Sequence, residues 1–152
     1  MQQEFAKEIR LTTPAAAAWT ALLDFQRVAS WLSIVGHVRE VEPMRRYTAV
    51  LEDRVGPFAL RADLTVHVEA IETERHLHVV ANGEDRQVAS RISASVDLVV
   101  QDEGSGCVVV AKGRYEITGR IATLGAGAIR KKGDKVLEEF LGNLSRELGT
   151  AP

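Results

Sequence analysis

From Val38 to Gly119 apolar and polar residues alternate with period two, the spacing of strands that bury one face. Tyr47, Ala49, Leu51 and Asp53 share one face of a segment, and Phe58, Leu60, Ala62, Leu64, Val66 and Val68 share one face of the next. A turn at "VGPF" sets Leu51 opposite Ala62 and Ala49 opposite Leu64, so the two inward sets meet. The same pairing test predicts three further turns. One at "TE" (73–74) sets Ala70 against Leu77 and Val68 against Val79. One in "NGEDRQ" sets Ala81 against Val88 and Leu77 against Ile92. One in "DEGSG" sets Leu98 against Val109, Val96 against Ala111 and Ala94 against Gly113. Agreement at successive turns predicts an antiparallel meander.

The pattern changes at both ends. Phe5, Ile9 and Leu11 alternate with Glu4, Glu8 and Arg10, which predicts a first strand. "TTPAAAAWTALLD" then offers a threonine N-cap, a first-turn proline and an alanine-rich helix with Trp19, Leu22 and Leu23 as its apolar stripe. "FQRVASWL" predicts a short second helix carrying Phe25, Val28, Trp31 and Leu32. After the meander, Val136, Leu137, Phe140, Leu141, Leu144 and Leu148 recur at helical spacing, predicting one helix from about Ile121 to Leu148. At ~1.5 Å per residue it spans roughly 40 Å, enough to cross a sheet.

Composition narrows the class. The chain has 152 residues, 45% of them hydrophobic, and a net charge of −2, as expected of one globular domain over residues 1–152. That balance points away from a nucleic-acid partner. Cys107 stands alone, so no internal disulfide forms. "MQQEFAKEIR" lacks the apolar core of a signal peptide, and no apolar run approaches the ~20 residues that span a bilayer; a cytoplasmic protein is expected.

"GRIATLGAGAIRKKGDK" (119–135) places four glycines beside basic residues. A dinucleotide fingerprint would need a third glycine where Arg130 stands, and a parallel crossover that this meander lacks. The small residues have a different meaning. Ala49, Ala62, Ala81, Ser90, Ala94, Ala111 and Gly113 face inward on the predicted sheet, and Gly125, Ala126, Gly127, Ala128 and Gly133 make the helix start equally slender. Small residues on both layers leave either a close helix–sheet contact or a cavity.

The order of elements resembles the helix-grip fold of the START-like (SRPBCC) superfamily. Within it, "PAAAAWTALLD", "YTAVLEDRVGPF" and "GRIATLGAGAI" are similar to the carbon monoxide dehydrogenase CoxG family over nearly the whole chain. The resemblance implies an α+β, Bet v 1-like fold: a curved antiparallel seven-stranded sheet around a long C-terminal helix, with two short helices after the first strand. It also implies a hydrophobic cavity between sheet and helix, and an accessory role beside a molybdenum-containing oxidoreductase, in membrane recruitment or in handling a lipophile such as a quinone. Two features depart from the family. Its members often extend at the C-terminus toward the membrane, whereas this chain ends at "LGTAP"; the family's glycine-rich strand is replaced by "GEDRQVASRISASV".

The expected ligand-binding residues are Trp31, Leu51, Phe58, Leu60, Ala62, Ser90, Ala94, Ala111, Tyr115 and Ile129. The bound molecule is expected to be a quinone or another lipophile, with Ser90 and the tyrosines suited to orienting its head group. Arg130, Lys131 and Lys132 are either a solvated helix face or a transient contact with anionic lipid at the inner face of the membrane. Asp53 and Tyr115 are the positions where a polyketide cyclase or aromatase on the same fold would differ from a carrier; no Ser-His-Asp order, HExxH or paired cysteine points to catalysis. His67, His76, His78 and Glu69 fall on the outward face, where no metal site is expected.

Overall fold

The computed structural model describes residues 1–73 and 75–149. Its strands are β1 (Gln2–Leu11), β2 (Val35–Glu42), β3 (Arg46–Val55), β4 (Phe58–Glu72), β5 (His76–Asp85), β6 (Ser90–Glu103) and β7 (Gly106–Gly119). They form one antiparallel sheet in the order β1-β7-β6-β5-β4-β3-β2, so the first strand closes the far end beside the last. Helices α1 (Ala15–Leu23) and α2 (Phe25–Ala29) fill the connection from β1 to β2, and α3 (Ala126–Leu148) follows the sheet. Register shifts in β2 and at Glu69 of β4 are the bulges that bend such a sheet around a helix.

The inward faces are those the alternation predicts except at Ala70, which a bulge turns outward, and register differs at several turns. At "VGPF" Leu51 pairs with Ala62 and Ala49 with Leu64, as expected. At the next turn Val68 pairs with Val79 as expected. The bulge at Glu69 then moves Ala70 opposite His78 and gives Leu77 to Ile71; Glu74 of the expected "TE" turn lies outside the described residues. Between β5 and β6, Ala81 pairs with Ala94 rather than Val88, and Leu77 with Leu98 rather than Ile92. The cause is Asp85. Its carboxylate accepts from the backbone N–H groups of Arg61 (2.7 Å), Gln87 (2.9 Å) and Val88 (3.2 Å), so β5 runs to Asp85 and the chain turns immediately beyond it. Those donors, Arg61 foremost, hold the Asp85 carboxyl below its ordinary value despite its burial. Between β6 and β7 the turn tightens to Gly104 and Ser105, with Gly104 at φ 61°. Leu98 therefore pairs with Ala111, Val96 with Gly113 and Ala94 with Tyr115, each two residues further along than expected.

The helices also depart in detail. The N-cap of α1 is Pro14, not a threonine. The Thr13 hydroxyl instead donates to the Leu148 carbonyl, and Thr12 N–H donates to Gly149 O at 3.1 Å, tying the start of α1 to the end of α3. The sealed stripe of α1 is Ala15, Ala18, Ala21 and Leu22, with Trp19 and Leu23 only partly buried. Alanine lets the helix axis approach the sheet closely. The "FQRVASWL" helix is shorter than expected, ending at Ala29. The last helix is not continuous from Ile121: Arg120–Leu124 is a 3-10 turn, and Gly125, at φ 93°, separates it from α3. At ~1.5 Å per residue the 23 residues of α3 span roughly 35 Å.

Two apolar clusters result. The larger gathers Leu11, Ala15, Ala18, Leu22, Trp31, Leu77, Leu98, Val109, Ala111, Phe140 and Leu144 under α1 and the second half of α3. The smaller gathers Leu60, Ala62, Val88, Ile121 and Ile129 under the 3-10 turn and the first turns of α3.

Candidate functional site

The ground between the clusters is the candidate site. One rung crosses the inward face from Tyr47 through Val66, Ala81 and Ala94 to Tyr115 and Gln3. Val66, Ala81 and Ala94 are half-buried and join neither cluster, whereas their strand neighbours Val68, Val79 and Val96 pack against the larger and Ile92 against the smaller. On α3, Val136 and Leu137 are half-buried as well, between sealed Ile129 and sealed Phe140. Val66, Ala81 and Ala94 as floor, and Val136 and Leu137 of one helical turn as roof, leave apolar surface that belongs to neither cluster.

Tyr115 stands at one side of this floor. Its hydroxyl donates to Ile129 O at 3.4 Å, and burial pushes the phenol above its ordinary pKa. A Cβ at Gly133 would lie 2.2 Å from that hydroxyl oxygen, so only glycine lets the helix rest there. The small-residue stretch therefore has two uses. Gly133 is a close contact, while Gly125 and Gly127 have no neighbour within 4 Å of where a Cβ would sit.

The other expected site residues are distributed as follows. Leu60, Ala62 and Ile129 are sealed in the smaller cluster, with Leu51 and Phe58 packed at its edge, and Ala111 is sealed in the larger. Ser90 is 3% exposed; its hydroxyl donates to Val88 O at 3.2 Å and accepts from Ile121 N–H at 3.0 Å. Trp31, 3% exposed, packs against Phe140 with ring centroids 5.9 Å apart. Its indole Nε1–H is buried and has no acceptor among the described residues, an uncommon condition for a buried donor. Val66, Ala81, Val136 and Leu137 were absent from the expected site; the signal for Ala81 was its pairing with Ala94, which only the correct β5–β6 turn reveals.

The basic residues differ from one another. Lys132 forms a 2.8 Å ion pair with Asp53, whose side chain is 16% exposed. Arg130 donates from Nε and a terminal nitrogen to Gln3 Oε1, at 3.0 and 2.8 Å, and Gln3 is 6% exposed. Lys131 is exposed. Arg120 lies 5.5 Å over the Phe58 ring. On the opposite face of the sheet, His76 Nε2 and His78 Nδ1 lie 2.6 and 2.9 Å from one oxygen of Asp97, with Glu72 and Glu69 on their other nitrogens. Hydrogen bonds to Asp97 and Glu72 hold the His76 imidazole above its ordinary pKa. Among the described residues no group of three or more histidine, cysteine or acidic side chains is placed to hold a metal ion. No helix among them is long and apolar enough to cross a membrane.

A bent antiparallel sheet closed over a long C-terminal helix, with two short helices after the first strand, defines a helix-grip protein of the START/Bet v 1-like class. The chain belongs to the carbon monoxide dehydrogenase CoxG family, whose model matches residues 8–149. No curated protein matches the sequence. Solved structures agree on the fold. A conserved protein from Geobacillus kaustophilus superposes with a TM-score of 0.82 at 14% identity, over 97% of this chain and 94% of that one. A START superfamily protein from Mycobacterium smegmatis gives 0.75 at 10% identity, over 95% and 96%. The Zhui aromatase/cyclase from Streptomyces sp. R1128 gives 0.64 at 11% identity, over 96% and 95%.

Proposed function

We propose that this protein binds a lipophilic small molecule between α3 and the alanine floor of the sheet, and acts as a carrier or accessory factor. The observation that carries this reading is the half-buried apolar surface of Val66, Ala81, Ala94, Val136 and Leu137 between two sealed clusters. An apolar ligand covering such surface gains about 25 cal/mol per Å² before the costs of association. The specific ligand we assign is a quinone, and the partner a molybdenum-containing oxidoreductase of the carbon monoxide dehydrogenase type. Membership in the CoxG family supports the partner. The Trp31 indole supports the ligand: a quinone brings carbonyl acceptors for the unpartnered donor and no donor of its own to leave unsatisfied. The reading places the protein in the cytoplasm, with transient contact at the inner face of the membrane. Lys131 is free to make that contact, whereas Arg130 and Lys132 would first leave Gln3 and Asp53.

Native mass spectrometry before and after lipid extraction tests the reading. A quinone-sized mass is expected on the purified protein, lost on extraction and regained with decylubiquinone. Trp31→Phe is expected to weaken decylubiquinone about tenfold, the worth of one buried hydrogen bond, while leaving the neutral arylamine probe N-phenyl-1-naphthylamine, which brings no carbonyl acceptor, unaffected. Protein that neither carries a lipophile nor takes one up would end the proposal.

A cyclase or aromatase is the second reading, favoured by Tyr47 and Tyr115 flanking the floor. It requires substrate conversion by the pure protein that Tyr115→Phe or Asp53→Asn abolishes. Under the carrier reading Asp53→Asn leaves ligand affinity nearly unchanged, because Asp53 is occupied by Lys132.

A further inference from the structure

The first turns of α3 lie between two glycines. Gly125, at φ 93°, breaks the backbone from the preceding 3-10 turn, and Gly133 sits inside the helix, where glycine costs roughly 1 kcal/mol relative to alanine. The segment between them, residues 126–132, contributes a single sealed side chain, Ile129. What else holds it down is polar: the Tyr115 hydroxyl donates to Ile129 O at 3.4 Å from the sheet beneath, and two side-chain straps come from either side. Lys132 reaches Asp53 on β3, and Arg130 grips Gln3 on β1, strands near opposite edges of the sheet. The 3-10 turn before the segment is itself anchored, through Ile121 N–H to Ser90 Oγ and Arg120 N–H to Ala89 O. A short segment with a hinge at each end, thin apolar packing and two detachable polar straps has the construction of a lid.

We propose that residues 126–132 form a latched lid over the smaller cluster, at the edge of the uncovered ground roofed by Val136 and Leu137, opened when Lys132 leaves Asp53 and Arg130 leaves Gln3. The inference rests on the ligand-binding reading for what the lid covers, but the latch exists in the ligand-free chain. Its straps control passage rather than affinity. Releasing one favours the open segment, which speeds uptake and release together and leaves their ratio little changed. The ionic strap also weakens as salt rises, since Lys132 is about one-third exposed.

The test uses the full chain in two measurements. In hydrogen exchange without ligand, Asp53→Asn and Gln3→Leu are each expected to speed exchange of the segment's hydrogen-bonded amides, 129–132, about tenfold, with amides 140–148 unchanged. The charge-swapped pair Asp53→Lys with Lys132→Asp should return exchange toward the parent rate, which guards against simple unfolding. In stopped-flow mixing with N-phenyl-1-naphthylamine, Asp53→Asn should raise uptake and release rates by a similar factor. If exchange at 129–132 does not respond, or if the probe binds with unaltered rates, the lid is overturned. If exchange responds as expected and the probe does not bind at all, the lid stands and the ligand-binding reading fails.

Discussion

The two halves of α3 are held by different forces. The second half is sealed by Phe140 and Leu144 in the larger cluster and bound to its surroundings at several polar points. Asn143 donates to Trp31 O at 2.8 Å, Glu139 accepts from Ser33 N–H at 2.7 Å, Glu147 pairs with Arg27 at 3.0 Å, and Thr13 takes the Leu148 carbonyl. The first half has Ile129, a glycine resting on Tyr115, and the straps to Asp53 and Gln3. Apolar packing resists separation everywhere at once, whereas ion pairs and side-chain hydrogen bonds can be exchanged for water one at a time. One helix thus supplies both the fixed wall of a binding space and a movable edge.

Truncation should expose this difference most strongly. Leu144→Ala is expected to cost about 3–5 kcal/mol in urea unfolding, because the buried site it empties is surrounded by sealed neighbours. Ile129→Ala, beside the uncovered ground, is expected to cost about 2 kcal/mol. Equal losses would mean that both halves are core of the same kind.

Enlarging the floor gives a smaller but sharper effect. Ala111, sealed in the larger cluster, has no room, so Ala111→Phe should destabilise by about 1–3 kcal/mol or more through overpacking. Ala94→Phe enters the half-buried ground and should cost less than about 1 kcal/mol while blocking uptake of N-phenyl-1-naphthylamine. If Ala94→Phe unfolds the protein as readily as Ala111→Phe, the space beneath α3 is filled.

The smallest expected effect comes from the opposite face of the sheet. Because the His76 pKa is raised on folding, its pairing stabilises the protein fully below the unfolded value near 6.5, and that contribution disappears as pH rises through the folded pKa. Parent protein should therefore lose slightly more stability than His76→Asn between pH 6 and pH 9, by less than about 1 kcal/mol given the partial exposure of the pair. Exchange at 129–132 should show no such dependence on His76; if it does, the two faces are coupled and the halves of α3 are not set by local contacts alone.

Much of the fold was legible along the chain. The alternation from Val38 onward marks the inward faces correctly except at Ala70, which the Glu69 bulge sets opposite His78, and the spacing of Phe140, Leu144 and Leu148 marks the helix. Register was less legible, for a geometric reason. A shift by an even number of residues leaves every side chain on the same face, so parity cannot distinguish Ala81–Val88 from Ala81–Ala94. Asp85 settles the matter by capturing the amides of the turn, a local bond that a hydrophobic pattern does not record. The site suffered the same way: Ala94 was identifiable, but its pairing with Ala81, which makes the floor, depends on that turn.

What the sequence by itself determined is which residues face inward, that these are unusually small in the middle of the sheet, and that a long amphipathic helix covers them. These are periodic properties, readable because burial selects residue type at each repeat. Only the tertiary structure decided how those small residues are used. Gly133 is spent on contact with Tyr115, Ala81 and Ala94 are left uncovered, and Lys132 and Arg130, alike in the sequence to solvated charges, are joined to Asp53 and Gln3 across the fold. Such partners lie far apart along the chain, and no local pattern encodes the distance at which two layers come to rest. That distance is set where Tyr115 meets the helix backbone at Gly133, a contact between β7 and α3 that exists only once both have formed.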